Sequence, residues 1–390
     1  MFSSRLPAAL GPNALAAAIG RLRTSGAPII DLTVTNPTAV GLMYPPALLT
    51  DLSSAAALKY SPEPFGMRSA REAVAREIAR VNGSSRPISV ERTILTSSTS
   101  EAYSLLFKLL CNSGDEVLIP QPSYPLFELL SRLDDVTAVP YRLQEHAHWS
   151  IDRSGVEKAL TAKTRAILVV SPNNPTGSMT SDDEAKWLAS LCASKGIAVI
   201  SDEVFADYRL PMNRDTIGDS PIAGFPDALA FHLGGLSKSA GLPQVKLGWI
   251  SVDGPDALVA DALERLELIS DTYLSVSTPV QVAAASLIEN GAAVRAAILE
   301  RIRRNLATLR TLVAASADVT MLEPDAGWSV VIKVPATESE EQIVLRLLTE
   351  RGVLVHPGYF FDFAHEAFLV LSLLPEESVF REGVTRVLAR

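Results

Sequence analysis

The chain has 390 residues, of which 47% are hydrophobic and 20% charged, the profile of a folded protein with roughly two or three domains. The net charge of −9 disfavours nucleic acid and anionic membrane surfaces, which are bound by clustered lysine and arginine. Two cysteines, Cys111 and Cys192, exclude a disulfide-rich scaffold and a cysteine-based zinc cluster. The apolar runs are too short to span a bilayer, and a helix beginning near Asn13 is expected in place of a signal peptide. We therefore expect a soluble, cytoplasmic protein.

Short β-rich runs alternate with helical patterns through the middle of the chain. We predict strands over 93–95, 116–119, 136–141, 166–170, 198–201, 228–233 and 248–252. Helices are predicted between them over 99–111, 124–131 and 182–194. Apolar strands separated by helices are typical of an α/β protein with a mostly parallel sheet covered on both faces. Functional loops are then expected at the carboxyl ends of the strands.

The pattern changes after residue 254. Long helices are predicted over 255–268, 276–290 and 292–315, followed by strands 328–334 and 367–373 and helices 338–351 and 376–389. This order indicates a smaller α+β domain joined by a long helix. We expect a large domain over 46–285, and a small domain formed by 1–45 together with 286–390.

The strongest local signal is Ser171–Gly177, SPNNPTG, directly after the apolar strand 166–170. Its two prolines and terminal glycine favour a tight turn, which can hold the Asn174 amide above the end of the sheet. A bare Asn-Pro pair would indicate only a turn. The whole run, at the carboxyl end of a buried strand, favours a binding role for Asn174.

Two ionisable residues follow later strands in the same way. Asp202 directly follows strand 198–201, where an acid is well placed for a ligand. A helix N-cap or a solvated loop carboxylate is the plainer interpretation. Lys238 follows strand 228–233, and a lysine held partly out of water can lose its proton and act as a nucleophile. A surface lysine is the alternative. A phosphate-binding P-loop fails because Ser237, not glycine, precedes Lys238.

Together these segments resemble the pyridoxal 5′-phosphate (PLP) enzymes of fold type I, in the aspartate aminotransferase-like class I and II aminotransferase family. The spacing carries the resemblance: 28 positions separate Asn174 from Asp202, 36 separate Asp202 from Lys238, and 8 separate Lys238 from Lys246. Further segments match the family in order, namely 60–66, 98–100, 114–117 and 122–125. The resemblance implies a large PLP-binding domain with a mostly parallel seven-stranded sheet flanked by helices, and a smaller α+β domain.

The resemblance also implies a role for each residue. Lys238 would form a Schiff base with PLP and then move the proton at the substrate α-carbon. Asp202 would lie against the pyridine nitrogen and keep it protonated, so that the ring accepts the electrons released at that carbon. Asn174 would donate to the phenolic oxygen of the ring, and Tyr124 would stack on its face.

The phosphate of PLP would be held at a helix N-terminus. Ser98, Thr99 and Ser100 open a predicted helix, and such an N-terminus attracts anions, although N-capping is the structural alternative and both can hold at once. Lys246 stands where the family usually has arginine, so it keeps the charge and loses the bidentate geometry. Tyr60 would reach the phosphate of the neighbouring subunit, which implies a homodimer.

Further positions depart from the family pattern, among them Gly235, where many members have a phosphate-binding serine. Phe205, three residues after Asp202, replaces a tyrosine that many members have, which removes a hydroxyl donor from the cofactor site. Val370 replaces the arginine of a family Arg-Leu-Ser strand that binds the substrate α-carboxylate. Residues 357–380 contain no arginine or lysine. Either another basic residue takes over, or the substrate lacks an ordinary α-carboxylate.

The resemblance thus predicts a PLP-dependent aminotransferase that moves an amino group between an amino acid and a 2-oxo acid through Lys238 and pyridoxamine phosphate. Because Val370 removes the expected guanidinium, a PLP-dependent lyase, racemase, decarboxylase or cyclase on the same scaffold stays open. A PLP-binding protein without catalysis is the alternative from another class. His146 and His148 could be two metal ligands, but no third ligand has supporting spacing, so no metal site is expected.

Overall fold

The computed structural model of the chain describes residues 2–7, 11–83, 88–146, 148–210, 225 and 227–389. The α-helices in those residues are α1 (Ala14–Thr24), α2 (Arg68–Val81), α3 (Thr99–Leu110), α4 (Phe127–Leu133), α5 (Arg153–Ala159), α6 (Asp182–Lys195), α7 (Leu236–Ser239), α8 (Asp256–Tyr273), α9 (Thr278–Ala314), α10 (Glu340–Arg351) and α11 (Glu377–Leu388). The strands are β1 (Ile30–Asp31), β2 (Thr93–Thr96), β3 (Glu116–Gln121), β4 (Thr137–Glu145), β5 (Trp149–Ile151), β6 (Thr164–Val170), β7 (Ala198–Asp202), β8 (Ala230–Gly235), β9 (Gly248–Asp253), β10 (Thr320–Leu322), β11 (Ser329–Lys333), β12 (Val353–Leu354), β13 (His356–Pro357) and β14 (Phe368–Ser372). Short 3₁₀ helices cover Pro37–Ala39, Pro46–Ser53, Ala55–Leu58, Val90–Arg92 and Gly358–Phe361.

The large sheet has the strand order β2-β9-β8-β7-β6-β3-β4-β5. Strands β4, β3, β6, β7 and β8 run parallel, whereas β9 is antiparallel to both of its neighbours. The predicted, mostly parallel sheet is confirmed. The described residues add an eighth strand, β5, which pairs antiparallel with β4 at the edge. Its three residues are too short for a periodic pattern to reveal them.

Helices cover both faces of this sheet because successive strand residues point to opposite sides. On one face, Ile200 and Phe231 belong to the core that α3 and α8 complete. On the other face, Val199 and Ala230 belong to the core that α5 and α6 complete. The sheet is therefore buried on both sides, and its accessible chemistry is confined to the ends of the strands.

The C-terminal part carries a four-stranded sheet of order β10-β11-β14-β13, antiparallel throughout. The N-terminal segment joins this part, because β1 pairs parallel with β12. Asn13 caps α1, with its side chain accepting from the Ala16 N–H at 2.8 Å. The domain boundaries stay a prediction.

Helix α9 is one continuous element, so the prediction of two helices over 276–290 and 292–315 was wrong. Gly291 suggested the break, but this glycine lies inside the helix where it packs on Ala240: a Cβ on Gly291 would lie 2.7 Å from the Ala240 Cβ. The missing side chain of Gly291 therefore allows α9 to pack closely on Ala240, and the glycine does not end the helix. By length and composition alone α9 could cross a membrane, a test that core helices of folded proteins also pass; Leu287 and Ile298 of this helix lie in the hydrophobic core.

Candidate active site

Three of the predicted site residues, Asn174, Asp202 and Lys238, lie at the carboxyl ends of three adjacent strands. Strands β6 and β7 are in parallel register with Val170 beside Asp202, and Asp202 lies beside Leu233 of β8. The segment 171–177, Asp202 and α7 therefore all leave the same edge of the sheet. A site at this edge is expected for an open parallel sheet.

Asp202 is buried, and both of its carboxylate oxygens accept hydrogen bonds. The Tyr103 hydroxyl donates to Oδ2 at 2.6 Å, and the Val204 N–H donates to Oδ1 at 3.2 Å. Burial raises the pKa of Asp202 to about 6, although both donors and the charge of Lys238 act to lower it. A cationic partner placed beside this buried acid would favour its ionised form.

Lys238 lies in the short helix α7 and its amine faces two aromatic rings. Its Nζ is 5.9 Å from the centroid of the Phe205 ring and 5.2 Å from that of Trp328. Burial lowers the pKa of the Lys238 amine, and the nearby Asp202 carboxylate opposes this shift. A larger unprotonated fraction makes the amine a better nucleophile.

The SPNNPTG run forms a buried turn that ties the two sheets together. The Asn173 side chain donates to the Pro122 carbonyl at 3.3 Å and accepts from the Thr176 hydroxyl at 2.9 Å. Gly177 has φ +70°, and a Cβ there would lie 2.6 Å from the Ala326 carbonyl oxygen. Glycine is therefore needed at this position.

Asn174 is half-buried, at the point where this turn meets the small sheet. The Ser329 hydroxyl on β11 lies 3.5 Å from the Asn174 Oδ1. The side-chain amide nitrogen of Asn174 makes no hydrogen bond within the described residues, so it is free to donate to a ligand.

Tyr124 lies in the loop before α4, which begins at Phe127 and not at residue 124 as predicted. Its ring packs edge-on against Phe127, with centroids 5.7 Å apart, and 39% of the residue is exposed. The neighbouring Ser123 N–H donates to the Phe361 carbonyl at 3.0 Å. Burial and the Asp202 charge raise the pKa of the Tyr124 hydroxyl, so the ring stays neutral.

The N-terminus of α3 approaches the ends of β8 and β9 closely. Ser98 is its N-cap, and its side chain accepts from the Glu101 N–H at 3.2 Å; Thr99 and Ser100 form the first turn. Gly248 makes the approach possible, because a Cβ there would lie 3.1 Å from the Ser98 carbonyl carbon. The N-capping interpretation is confirmed, and the helix N-terminus also fits an anion.

Lys246 and Tyr60 are placed differently from the other predicted residues. Lys246 is exposed, in a turn with φ 61°. Tyr60 is 70% exposed. In the part of the chain that the structure covers, neither forms a hydrogen bond or ring contact with Lys238 or Asp202.

Val370 is buried in an apolar surface that faces the large sheet. It packs with Val331, Phe361 and Phe368, and it is paired across the sheet with Val331 and His356. Burial lowers the pKa of His356, so its imidazole is neutral near pH 7, and its Nδ1 has no hydrogen-bond partner among the described residues.

Lys333 lies on the same face of β11 as Val331, the residue paired with Val370, and its charge is already neutralised by an ion pair. The Lys333 Nζ lies 2.8 Å from the Glu145 carboxylate and 5.3 Å from the centroid of the Phe368 ring. The described residues that pack against Val370 are apolar, so they form an apolar wall and offer no guanidinium at this position.

Four residues in or next to the site were missed or left open by the sequence. Tyr103, Tyr208 and Arg295 are not singled out by the sequence, and Trp328, which directly follows Gly327, is compatible from the sequence with either the core or the pocket. Tyr103 lies one helical turn after Ser100, so it shares a face with the N-terminal turn of α3, which is the signal that could have found it. Tyr208 and Arg295 carry no such signal, because they meet Lys238 only through long-range contacts.

The geometry defines a class of site: a half-buried lysine and a buried acid at the carboxyl edge of a parallel sheet, with a helix N-terminus suited to an anion. A sequence profile described as "Aminotransferase class I and II" matches residues 33–386. The chain belongs to the class I and II aminotransferase family.

Named relatives agree with this placement. The chain is 25% identical over 376 residues to glutamate–pyruvate aminotransferase AlaA of Haemophilus influenzae, covering 94% of this chain and 91% of that protein. It is 28% identical over 363 residues to alanine aminotransferase of Mycobacterium tuberculosis, covering 91% and 83%.

Solved structures show the same fold. Alanine aminotransferase from Pyrococcus furiosus superimposes with a TM-score of 0.86 at 22% identity, over 99% of this chain and 98% of that one. An aspartate aminotransferase variant from Thermus thermophilus gives 0.84 at 25% identity, over the same shares. Fold type I, expected from the sequence, is confirmed, and the chain is an aminotransferase-type enzyme.

Proposed function

We propose that this chain is a PLP-dependent aminotransferase that exchanges the amino group of an amino acid with the oxo group of a 2-oxo acid. The observation that carries the proposal is the half-buried Lys238 amine, which lies near the rings of Phe205 and Trp328 and interacts electrostatically with the buried Asp202. Outside a binding site, a lysine and an acid buried together without a direct hydrogen bond would cost stability for no return.

The residues present fit PLP. The N-terminus of α3 offers backbone N–H groups to a phosphate. It lies close to β8 and β9 because Gly235 and Gly248 carry no side chains: a Cβ on Gly235 would lie 3.1 Å from the Gly248 Cα, and one on Gly248 would lie 3.1 Å from the Ser98 carbonyl carbon. The Asp202 carboxylate suits a protonated pyridine nitrogen, because a cation would offset the cost of its burial. When bound, PLP would supply an electron sink for the carbanion that forms at the substrate α-carbon.

Each of the site residues then has a distinct role. Lys238 holds the cofactor, and once released it takes and returns the proton at the α-carbon. Asp202 keeps the ring nitrogen protonated, with Tyr103 holding the carboxylate in place. Asn174 orients the ring through its amide, and Tyr124 covers one ring face. The buried surroundings exclude water and strengthen these electrostatic effects.

Phe205 offers the cofactor no hydroxyl, and Lys246 would provide a point charge near the phosphate in place of a guanidinium fork. Ser98, Thr99 and Ser100 would supply the remaining donors. The proposed substrates are small amino acids and their 2-oxo acids, by analogy with relatives named for alanine, glutamate and pyruvate.

A second reaction on the same scaffold is supported by one observation. Val370 lies in an apolar surface, so a substrate carboxylate would meet no guanidinium there. A PLP-dependent lyase, racemase, decarboxylase or cyclase could use such a surface for an uncharged substrate group. Transamination remains the preferred proposal because the relatives at 25–28% identity over most of their length carry aminotransferase names.

The proposal includes a cytoplasmic homodimer in which Tyr60 reaches the neighbouring site. Tyr60 is 70% exposed, and this exposure supports the proposal that its side chain contacts a second subunit. Sedimentation equilibrium of wild type and Tyr60→Phe tests the assembly, and a PLP titration of both tests the contact. A monomer would contradict this part of the proposal.

The function is tested by two half-reactions on the purified, PLP-loaded protein. We expect an amino acid to abolish the visible band of the bound cofactor and a 2-oxo acid to restore it, with stoichiometric oxo-acid and amino-acid products. Lys238→Ala is expected to do neither. Release of ammonia with a 2-oxo product, without any added oxo acid, would instead establish elimination and contradict transamination.

A further inference from the structure

The helix that carries Lys238 cannot fix the lysine by itself. Helix α7 has four residues, Leu236–Ser239, and no side-chain hydrogen bond caps its N-terminus. A single helical turn is unfavourable in isolation because it fixes several dihedral angles for one hydrogen bond. The position of the Lys238 amine must therefore depend on contacts from the rest of the chain.

Two of these contacts come from distant side chains that donate to consecutive backbone carbonyls of the turn. The Tyr208 hydroxyl donates to the Lys238 carbonyl at 2.6 Å. The Arg295 Nε, from helix α9, donates to the Ser239 carbonyl at 2.9 Å. Tyr208 is fully buried, and only 11% of the Arg295 side chain is exposed, so both bonds are shielded from water.

A third donor holds the next bend of the chain. The Tyr44 hydroxyl donates to the Gly241 carbonyl at 2.7 Å, and the Gly241 N–H returns to the Lys238 carbonyl at 3.1 Å. Gly241 has φ +63°, and a Cβ there would lie 2.8 Å from Ile298. We call Tyr44, Tyr208 and Arg295 the carbonyl clamp.

Arg295 is itself held in a group of four charges, in which the Glu77 and Asp207 side chains are only 3% and 5% exposed and Arg80 is 45% exposed. The Arg295 guanidinium lies 2.5 Å from the Glu77 carboxylate and 3.3 Å from that of Asp207. Arg80 also pairs with both acids, at 2.8 Å from Glu77 and in close contact with Asp207. Two cations and two anions balance, so Arg295 cannot swing away without leaving buried carboxylates underpaired. The group joins α2, α9 and the segment after β7.

We propose that the carbonyl clamp consists of positioning residues, which hold the turn around Lys238 from outside the site and keep its amine over the rings of Phe205 and Trp328. This inference rests on the proposed function, since it concerns the lysine to which that function assigns the chemistry. The clamp donors bond to backbone carbonyls and act only through Lys238. Loosening them lets the turn move and the amine reach water.

The consequence is measurable on Lys238 itself. The groups that face its amine are the uncharged rings of Phe205 and Trp328 and the carboxylate of Asp202. Burial favours the neutral amine and Asp202 favours the ammonium ion. A turn that moves toward solvent loses the effect of burial, so the amine becomes harder to deprotonate and less reactive at a given pH.

The test compares two clamp variants with matched controls. Tyr208→Phe removes one hydroxyl from a buried carbonyl, and Tyr141→Phe is its control, because the Tyr141 hydroxyl donates to the Leu168 carbonyl at 2.9 Å. Arg295→Met is matched by Arg301→Met on the same helix, since Arg301 also donates to backbone carbonyls, those of Val40 and Leu374.

Competitive acetylation of the full-length apoprotein across pH, read by peptide mass, gives the titration of Lys238. We expect both clamp variants to be about tenfold less reactive at neutral pH, with their curves displaced to higher pH, and both controls to follow wild type. Clamp variants that remain folded by circular dichroism and match the wild-type curve would overturn the proposal.

A kinetic measurement on the holoenzyme provides the second readout. In the first half-reaction we expect Tyr208→Phe to lower kcat about tenfold and to leave KM within twofold, because the defect lies in the amine and not in substrate binding. Equal losses in Tyr141→Phe, or unchanged kcat in Tyr208→Phe, would contradict the clamp. The acetylation experiment contains no PLP, so it tests the clamp even if the proposed function fails.

Discussion

The hydroxyl of Tyr103 donates a 2.6 Å hydrogen bond to Oδ2 of Asp202, and both residues are buried. The bond favours the ionised carboxylate and opposes the effect of burial on its pKa. Tyr103 belongs to α3, the helix whose N-terminus lies against the ends of β8 and β9. One rigid helix therefore orients the acid and also presents the anion site, which fixes the distance between the two.

Tyr103→Phe tests that relationship. It leaves Asp202 with the Val204 N–H as a donor, and a hydrogen bond to a charged group contributes about 1.5–3 kcal/mol. We therefore expect the affinity for PLP to fall by roughly 10- to 100-fold in an equilibrium titration of the apoprotein. Tyr141→Phe, which removes an equally buried hydroxyl that donates to the Leu168 carbonyl and not to Asp202, is the control. Unchanged affinity in Tyr103→Phe would show that the bond does not support the cofactor site.

Asp202→Asn is expected to stabilise the apoprotein at neutral pH. Because the folded-state pKa of Asp202 is raised from 3.8 to about 6, the folded state binds more protons than the unfolded state across that interval. Stability is therefore lost as pH rises from about 4 to 6, and the loss approaches about 3 kcal/mol.

Urea unfolding of the apoprotein at pH 4 and pH 7 measures this effect. The variant should be more stable than wild type at pH 7 and nearly equal to it at pH 4, while PLP binding is lost. A variant that is less stable than wild type at pH 7 would contradict the conclusion that the buried, ionised Asp202 lowers the stability of the apoprotein.

Phe205→Tyr tests the departure from the family pattern. The Phe205 ring lies near the Lys238 amine and packs edge-on against Trp328, with centroids 5.4 Å apart. An added hydroxyl would stabilise negative charge on the phenolic oxygen of the cofactor. We expect the visible band of the holoenzyme to titrate at a lower pH, by roughly one unit. A titration that does not move would mean that this ring does not face the cofactor.

His232 and Glu203 form a buried ion pair behind the site, with Nδ1 and Oε1 2.6 Å apart. Burial acts to lower the pKa of His232, but the Glu203 carboxylate outweighs it and the net direction is upward. A raised histidine pKa contributes stability below the unfolded value of about 6.5, and this stability is lost as pH rises through the folded pKa.

His232→Asn should remove that pH dependence. The stability difference between wild type and variant, measured by urea unfolding, is expected to be largest in mild acid and to shrink above about pH 7. A difference that grows with pH would contradict a charged pair at this position.

Much of the fold could be read from the sequence because local patterns carry it. Near-continuous apolar runs identified β6 and β7, and their turn residues placed Asn174 and Asp202 at one edge of the sheet. The edge strand β5 was missed because three residues give no period, and α9 was divided because Gly291 resembles a helix end. In both cases a long-range contact decided the outcome, which a single sequence does not contain.

The site residues likewise divide into those that local sequence patterns reveal and those that only long-range contacts bring together. Lys238, Asp202 and Asn174 follow strands, so their positions were predictable from topology. Arg295 lies in the middle of a helix, and nothing in the local sequence distinguishes it from Arg301. Only the folded structure shows that one guanidinium meets the turn of Lys238 and the other does not.

The most direct test of the account is to trap the cofactor on its lysine. PLP-loaded protein would be reduced with borohydride, digested and analysed by peptide mass. We expect one phosphopyridoxyl group per chain, on Lys238, and neither this adduct nor the visible band in Lys238→Ala. A label on another lysine such as Lys246, or no label although PLP binds, would contradict the central assignment.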